Sequence, residues 1–310
     1  MTPAVSTLGL SKSFGSILAV DGLQIDVSPG EILAILGPNG AGKTTTVRML
    51  GSILQPTAGT ASVAGLDVVD EAQRVRRRVG LLTEFPGLYL RMPTLEYLVF
   101  FGGMYGLPPE ETARRGRRLL GDVGLQAVET ERLGTFSKGM RQKVALVRAL
   151  LHEPLVLLLD EPTSAMDPRS AKTVRDLIRE LRAQGRCIVL CTHNLAEAEA
   201  LADRIAIISK GRIVAQGTVH ELERRLLGPP VFEVELARQM DGLEEALLDL
   251  VETDSSGTTW IRYRTSAPEE TNPHVTERLV ERGAEVVSLS RVSRSLEDVY
   301  LRIVEEADAG

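Results

Sequence analysis

Cysteine is scarce in this sequence, with two residues in 310, Cys187 and Cys191. Two thiols cannot frame a disulfide-stapled fold, and a zinc site would need further ligands nearby. In a strand-like run, a separation of four puts both on one face, so they read as small buried core residues. Long apolar runs are also missing. The longest purely aliphatic stretch is Leu155 to Leu159, against the roughly 20 residues a membrane-spanning helix needs. The opening MTPAVSTLGL has neither the basic nor the apolar region of a secretory signal. The expectation is a cytoplasmic chain that reaches a membrane only through a partner. Internal repeats and low-complexity segments are absent. Hydrophobic residues make up 43% and charged residues 25%, which excludes a wholly disordered or collagen-like chain.

Strong charge of one sign is lacking overall, since the net charge is −6, but it is unevenly spread. Residues 229–310 carry 18 acidic and 8 basic residues, net −10, leaving 24 acidic and 28 basic, net +4, in residues 1–228. The asymmetry places a boundary near Gly228-Pro229-Pro230. A chain of this length suits one large domain and one small one. Neither half is basic enough to argue for nucleic acid. The pairs Arg114-Arg115 and Arg117-Arg118 read as a solvated helix face.

Within residues 1–228, short apolar runs alternate with amphipathic stretches, the pattern of helices on a mainly parallel sheet. Ile32 to Leu36, Leu155 to Leu159 and Ile188 to Leu190 are continuously apolar, as strands covered on both faces need not alternate. Leu8 to Phe14 and Leu23 to Val27 alternate more, as half-covered strands do. Residues 95–106 and 109–123 predict helices between the sheet elements, an inserted lobe over about 88–152. After Pro230 the expected order is strand 231–236, helix 243–251, strand 258–264, helix 275–282, strand 285–289 and helix 296–304. That makes a small α+β domain whose sequence shows no chemistry.

The chemistry concentrates in Gly37-Pro38-Asn39-Gly40-Ala41-Gly42-Lys43-Thr44-Thr45, which follows the strand ILAIL and opens the helical run VRML. It satisfies G-x-x-x-x-G-K-[ST], a phosphate-binding loop. Glycines let the backbone curl around phosphates, and the helix N-terminus adds positive potential. Lys43 is expected to neutralise the β- and γ-phosphates and Thr44 to ligate Mg²⁺. A second buried run ends in Asp160-Glu161, and two acids at the end of a buried strand are costly unless they have work. Asp160 is expected to hold Mg²⁺ and Glu161 to polarise the attacking water. His193 ends a third apolar strand. It is expected at the same sheet edge, because ligands sit outside the carboxyl ends of such strands. Thr135 to Lys143 (TFSKGMRQK), taken alone, is a serine and a glycine opening a helix.

Together these motifs resemble the nucleotide-binding subunit of an ATP-binding-cassette (ABC) transporter, over about residues 6–220. GPNGAGKTT is similar to the Walker A loop, LVLLLDE to the Walker B strand, SAMD (164–167) to the D-loop, and His193 to the switch histidine. FSKGMRQK stands where the family carries its signature. The resemblance implies an α/β fold: a P-loop NTPase cassette over 1–228, with the small α+β domain over 229–310. It implies ATP and Mg²⁺ as ligands, Phe14 stacking on adenine and Val20 packing near the base. It further implies a head-to-tail pair of cassettes, in which Ser137, Lys138, Gly139 and Met140 of one chain meet the ATP of the other, with Asp167 in the D-loop. Two positions depart from the family pattern. Glu84 replaces the Q-loop glutamine, as a possible metal contact, and Lys138 and Met140 replace a glycine and a glutamine. Such variants resemble exporters of drugs, antibiotics or ions, as does the closing run SLEDVYLRI (295–303).

The expected function is therefore ATP hydrolysis powering a separately encoded membrane permease, with export as the direction and the inner membrane face as the location. The alternative is a soluble ABC ATPase of translation or DNA repair. Those carry paired cassettes, coiled-coil insertions or zinc modules, which are absent here. The permease is expected to dock on Phe85 to Tyr105, which holds six of the eleven Phe and Tyr residues. Pro86, Gly87 and Pro93 break its first part into loop, and aromatics in a loop suit a partner's contact better than a core.

Overall fold

The computed structural model describes residues 2–164, 166–292, 297 and 300, with backbone alone for 225–227. Two compact units divide the chain, Met1–Val219 and His220–Gly310. The division falls before the Gly228-Pro229-Pro230 turn expected from composition. The turn marks the end of a helix, Val219–Leu227, and charge counting cannot tell with which unit a helix packs.

The first unit is built on a six-stranded sheet. Its strands enter in this chain order, with a second sheet and helices between them. A hairpin, β1 (Val5–Phe14) and β2 (Ile17–Leu23), is followed by β3 (Asp26–Val27) and then by β4 (Ile32–Leu36) and α1 (Lys43–Leu50). Next come β5 (Ala58–Val63), β6 (Leu66–Asp67), α2 (Ala72–Arg78) and β7 (Val79–Leu82). The inserted lobe contributes α3 (Thr94–Met104), α4 (Pro109–Asp122) and α5 (Lys138–Leu150). The chain returns through β8 (Val156–Asp160), α6 (Pro168–Ala183), β9 (Cys187–Thr192), α7 (Leu195–Leu201), β10 (Arg204–Ser209) and β11 (Arg212–Gly217). The large sheet has the order β11-β10-β4-β9-β8-β7. All its pairs are parallel except β10 with β11.

Every residue of β4, β8 and β9 is buried, which is why these strands read as unbroken apolar runs. Burying each of their larger aliphatic side chains contributes about 1.5–3 kcal/mol. Both cysteines are free and sit in this core. The register sets Leu36 beside Thr192 and Asp160 beside Cys191. The phosphate loop, the Asp160-Glu161 pair and His193 thus leave neighbouring strands at one edge.

The second sheet, in the order β2-β1-β5-β6 with β3 also on β1, is antiparallel and was not foreseen. The run expected as one strand over 23–27 is instead the end of β2 and, separately, β3. Gly22 has a positive φ of 61° and the β1–β2 register slips twice, so the alternation over 8–14 and 23–27 does not reveal how these strands pair.

In the second unit, strands Val231–Leu236, Glu252–Ser256, Trp260–Arg264 and Val286–Arg291 form a four-stranded sheet with the helix Pro268–Glu281. The helix expected over 243–251 is a series of turns instead, with three- and four-residue backbone bonds such as Ala246 to Gly242 and Leu247 to Glu244. Leu243, Ala246 and Leu247 still reach the small core, so the segment keeps helical spacing without regular helical hydrogen bonding. The strand Glu252–Ser256 had no expectation, and of the helix expected over 296–304 only Glu297 and Tyr300 are among the described residues. No helix among the described residues is long and apolar enough to cross a membrane.

Candidate functional site

The loop between β4 and α1 is shaped by two glycines. A Cβ on Gly37 would stand 2.3 Å from the Ile208 carbonyl oxygen, so the loop leaves the sheet hard against β10. Gly42 adopts φ +109°, and a Cβ there would lie 2.6 Å from the Ala19 carbonyl oxygen. Both contacts exclude larger residues. Gly42 is also the N-cap of α1, with no side chain bonding to the first turn and no acidic residue in it. The first amides of α1 therefore have no partner within the helix and present positive potential to an anion.

A cleft of about 280 Å³ lies over this helix end. Asn39, Gly40, Gly42, Lys43, Thr44 and Thr45 line it from the loop, with Glu84, Asp160 and Glu161 opposite. Lys43 is buried and its Nζ donates to the carbonyl oxygens of Gly37 (2.7 Å) and Pro38 (3.0 Å). An ammonium group has three donors, so two hold the loop and one remains for a phosphate oxygen. Thr44 Oγ1 donates to Asp160 Oδ2 at 2.7 Å.

Burial raises the Asp160 carboxyl above its ordinary range. The Thr44 bond opposes this, Glu161 and Glu84 add to it, and Lys43 lowers it. Three carboxylates and a hydroxyl thus face a single lysine. Among the described residues no group of three or more His, Cys, Asp and Glu side chains is placed to hold a metal ion by itself.

Glu161 is the strained member. It has φ +52°, a left-handed conformation that costs a non-glycine residue roughly 1–2 kcal/mol. Strain of this kind persists only where surroundings over-determine it. Here the Glu161 amide donates to the Cys191 carbonyl at 2.9 Å. Its Oε1 accepts from the His193 amide at 3.0 Å and from His193 Nδ1 at 2.7 Å. A carboxylate acceptor fixes the proton on Nδ1. Oε2 accepts from no described residue. The strain therefore holds a nearly buried carboxylate with one free oxygen at the mouth of the phosphate cleft.

The remaining sequence-predicted residues are distributed as follows. Gly37, Pro38 and Ala41 shape the loop from beneath; Ala41 is buried and its carbonyl accepts from Gly211 N. Val20 is wholly buried and supports Gly42, and its neighbour Ala19 lines the cleft instead. Phe14 is half exposed at the end of β1, with Lys12 Nζ 5.3 Å from its ring centre.

Asp167 caps α6, accepting from the amides of Arg169 and Ser170 at 3.0 Å. Ser137 caps α5, accepting from the Met140 amide at 3.2 Å. Ser137 to Met140 do not line the phosphate cleft of their own chain. Lys138 lines a second, more apolar cleft of about 300 Å³ with Glu84, Phe85, Leu88 and Gln142. Glu84 lines both clefts.

Three residues of the site were not anticipated from the sequence. Ala19 is one. Gln142 is buried in α5 and donates from Nε2 to the Glu161 carbonyl oxygen at 3.3 Å. Buried Glu197 of α7 accepts from Thr163 Oγ1 (2.5 Å) and Thr192 Oγ1 (2.7 Å), tying the loop after β8 to the end of β9. Burial raises its carboxyl above the usual range, while both hydroxyl bonds lower it. A glutamate five residues beyond a strand end gives no signal of that role.

The family model described as ABC transporter matches residues 20–164. The chain is 36% identical over 307 residues to the daunorubicin/doxorubicin resistance ATP-binding protein DrrA of Streptomyces peucetius, covering 97% of this chain and 92% of that protein. It is 38% identical over 263 residues to the Nod factor export ATP-binding protein I of Ralstonia nicotianae, covering 84% and 82%. A solved ATP-binding subunit of an ABC transporter superposes with a TM-score of 0.68 at 32% identity, covering 73% of this chain and 94% of that one. The dimeric cassette MJ0796, in a post-hydrolysis state bound to ADP and Pi, superposes with a TM-score of 0.65 at 24% identity and supports the fold alone.

Proposed function

The chain belongs to the ABC transporter family, and from that premise we propose that it is the ATP-hydrolysing subunit of an exporter, working in head-to-tail pairs beneath a separately encoded permease. It binds and hydrolyses ATP. The observation that carries the detailed reading is the Glu161–His193 pair beside the Lys43 loop, a carboxylate with one oxygen held and one free.

The α1 N-terminus and Lys43 bind the phosphates, and the Thr44 hydroxyl with Asp160 would hold Mg²⁺, Glu84 standing close by. All-oxygen donors, few in number, fit an ion that keeps several waters and takes the rest of its shell from phosphate. Bound there, Mg²⁺ would neutralise charge on the transferring phosphoryl group. Glu161 Oε2 takes the proton of the attacking water while His193 fixes Oε1, so the carboxylate cannot swing away. In the pair, the exposed N-terminus of α5, with Ser137, Lys138, Gly139 and Met140, meets the γ-phosphate held by the other chain. Asp167 keeps the D-loop in place by capping α6. Export as the direction rests on the relatives named for drug resistance and Nod factor export.

Docking of the permease on Phe85 to Tyr105 is supported by exposure and rigidity together. Phe85 is 75% and Tyr89 49% exposed. The Tyr89 ring packs within 6.0 Å of Tyr97, Phe100 and Phe101. Arg148 fixes the loop by donating to the Pro86 carbonyl (3.1 Å) and the Tyr97 hydroxyl (2.6 Å). Tyr97 and Leu98 belong to the core, so only part of the helical stretch is free for a partner. Changing Leu88 and Tyr89 to Ser should leave ATP affinity within about twofold while assembly with the permease and transport fall, since a few buried aromatics carry most of an interface. Co-purification from detergent and vesicle transport check this; normal assembly and transport by the double variant contradict it. This placement would put the subunit at the inner face of the cell membrane.

Every cleft-lining residue lies in the first unit. A chain ending at residue 219 should therefore bind ATP within about threefold of the full chain, less than the 1.4 kcal/mol that a tenfold loss represents. A folded truncation with no measurable ATP binding contradicts the assignment of the nucleotide site to the first unit.

A further inference from the structure

We infer that Gln142 is a positioning residue for Glu161, and that through it the helix carrying the signature sets when its own chain's carboxylate is aligned for hydrolysis. The inference rests on the proposed role of Glu161 and deepens it. Glu161 is held in its left-handed conformation from both sides. On the amide side the anchor is the Cys191 carbonyl on β9, at 2.9 Å. On the carbonyl side the acceptor receives Ser164 N at 3.2 Å, from its own turn, and Gln142 Nε2 at 3.3 Å, from α5. The Gln142 bond ties the backbone of the catalytic residue to the inserted lobe.

The geometry gives that bond a direction. Gln142 is 4% exposed, so few positions are open to its side chain. It follows the Ser137 cap by five residues on α5, roughly 7–8 Å along the axis at 1.5 Å per residue. A helix is stiff over that length, so a shift of its N-terminus moves the Gln142 amide with it. A buried hydrogen bond already near the long end of the normal range is readily lost or tightened by such a shift. Gln142 also lines the apolar cleft that holds Glu84, Phe85 and Leu88. Movement of the loop after β7 and movement of the α5 N-terminus therefore arrive at one side chain. When the bond is made, the left-handed turn is complete and Oε2 faces the phosphate cleft. When it is lost, one restraint on a strained residue is gone, and the carboxylate's alignment relaxes while the phosphate-binding loop is untouched.

The test uses the full chain and single-turnover hydrolysis at saturating ATP. Gln142→Met keeps length and removes the donor. The expected result is hydrolysis about tenfold slower with ATP affinity changed less than twofold. In the Glu161→Gln background the same change should produce no further loss, because Gln142 acts through the carboxylate. Gln142→Glu supplies a readout that packing alone would not move. A buried carboxyl donates a hydrogen bond only when protonated, and burial raises the pH at which it protonates. The rate of Gln142→Glu relative to the unaltered chain should therefore rise as pH falls from about 8 to about 6, and this variant decides the matter should Gln142→Met fail to fold. Unchanged hydrolysis in Gln142→Met, an equal loss in both backgrounds, or a flat relative pH profile would overturn the inference. A Glu161→Gln parent that hydrolyses at the normal rate would instead overturn the reading of the site itself.

Discussion

Replacing Glu161 with Gln should slow ATP hydrolysis by about 10²–10⁴-fold, the usual contribution of a positioned base, and leave ATP bound. Glu161 Oε1 already accepts two hydrogen bonds from His193, and Oε2 is the free oxygen. An amide can be placed in two ways. With its oxygen toward His193, the NH₂ group faces the water and cannot take a proton. With the NH₂ toward His193, two donors confront two donors. Either way the base is lost. The groups that bind nucleotide are untouched, so affinity should stay within about threefold of the original, less than 1.4 kcal/mol. Phosphate release measured against ATP retention checks this; hydrolysis at the unaltered rate contradicts the assigned base.

Lys43→Ala should act on the other side of the ledger between binding and chemistry. Lys43 has two donors on the loop carbonyls and one for phosphate. Its removal takes away a charge-assisted bond to the nucleotide, worth about 1.5–3 kcal/mol, and releases the Gly37 and Pro38 carbonyls that it pins. ATP affinity should fall by about 10–100-fold, and hydrolysis should fall with it, since the same charge stabilises the transferring phosphoryl group. Equilibrium binding of a labelled ATP analogue checks the first part. Unchanged affinity would mean that the loop is not the phosphate site. The contrast matters: one variant keeps ATP and loses turnover, the other loses ATP first.

The parts of the molecule that sequence made legible are those where physics leaves few choices. ILAIL, Val156 to Leu159 and the run around Cys187 are covered on both faces, and continuous apolar runs announce that. His193 could be placed beside Glu161 because parallel strands with crossover helices deliver their ends to one edge. Gly37 and Gly42 are demanded by contacts of 2.3 and 2.6 Å that any Cβ would make. The illegible parts depend on where a polar side chain meets a distant backbone. Gln142 on α5 and Glu197 on α7 are unremarkable at their positions, and only the fold brings them to Glu161 and Thr192. Val20 was expected near the base, yet strand alternation buries it and turns Ala19 to the cleft. The antiparallel sheet escaped notice because alternation does not reveal how strands pair across bulges and positive-φ glycines. The turns over 241–250 kept helical spacing without helical regularity.

In the proposed function, ATP is hydrolysed in a site completed by a second copy of the chain. The most direct test is the mass in solution of the Glu161→Gln chain, with and without ATP, by light scattering. The expected result is a monomer without ATP and a doubled mass with saturating ATP. The doubling should disappear when Ser137 and Gly139 on the exposed end of α5 are replaced by bulky residues. A chain that binds ATP fully and stays monomeric, or one that doubles regardless of those replacements, would contradict the proposed function.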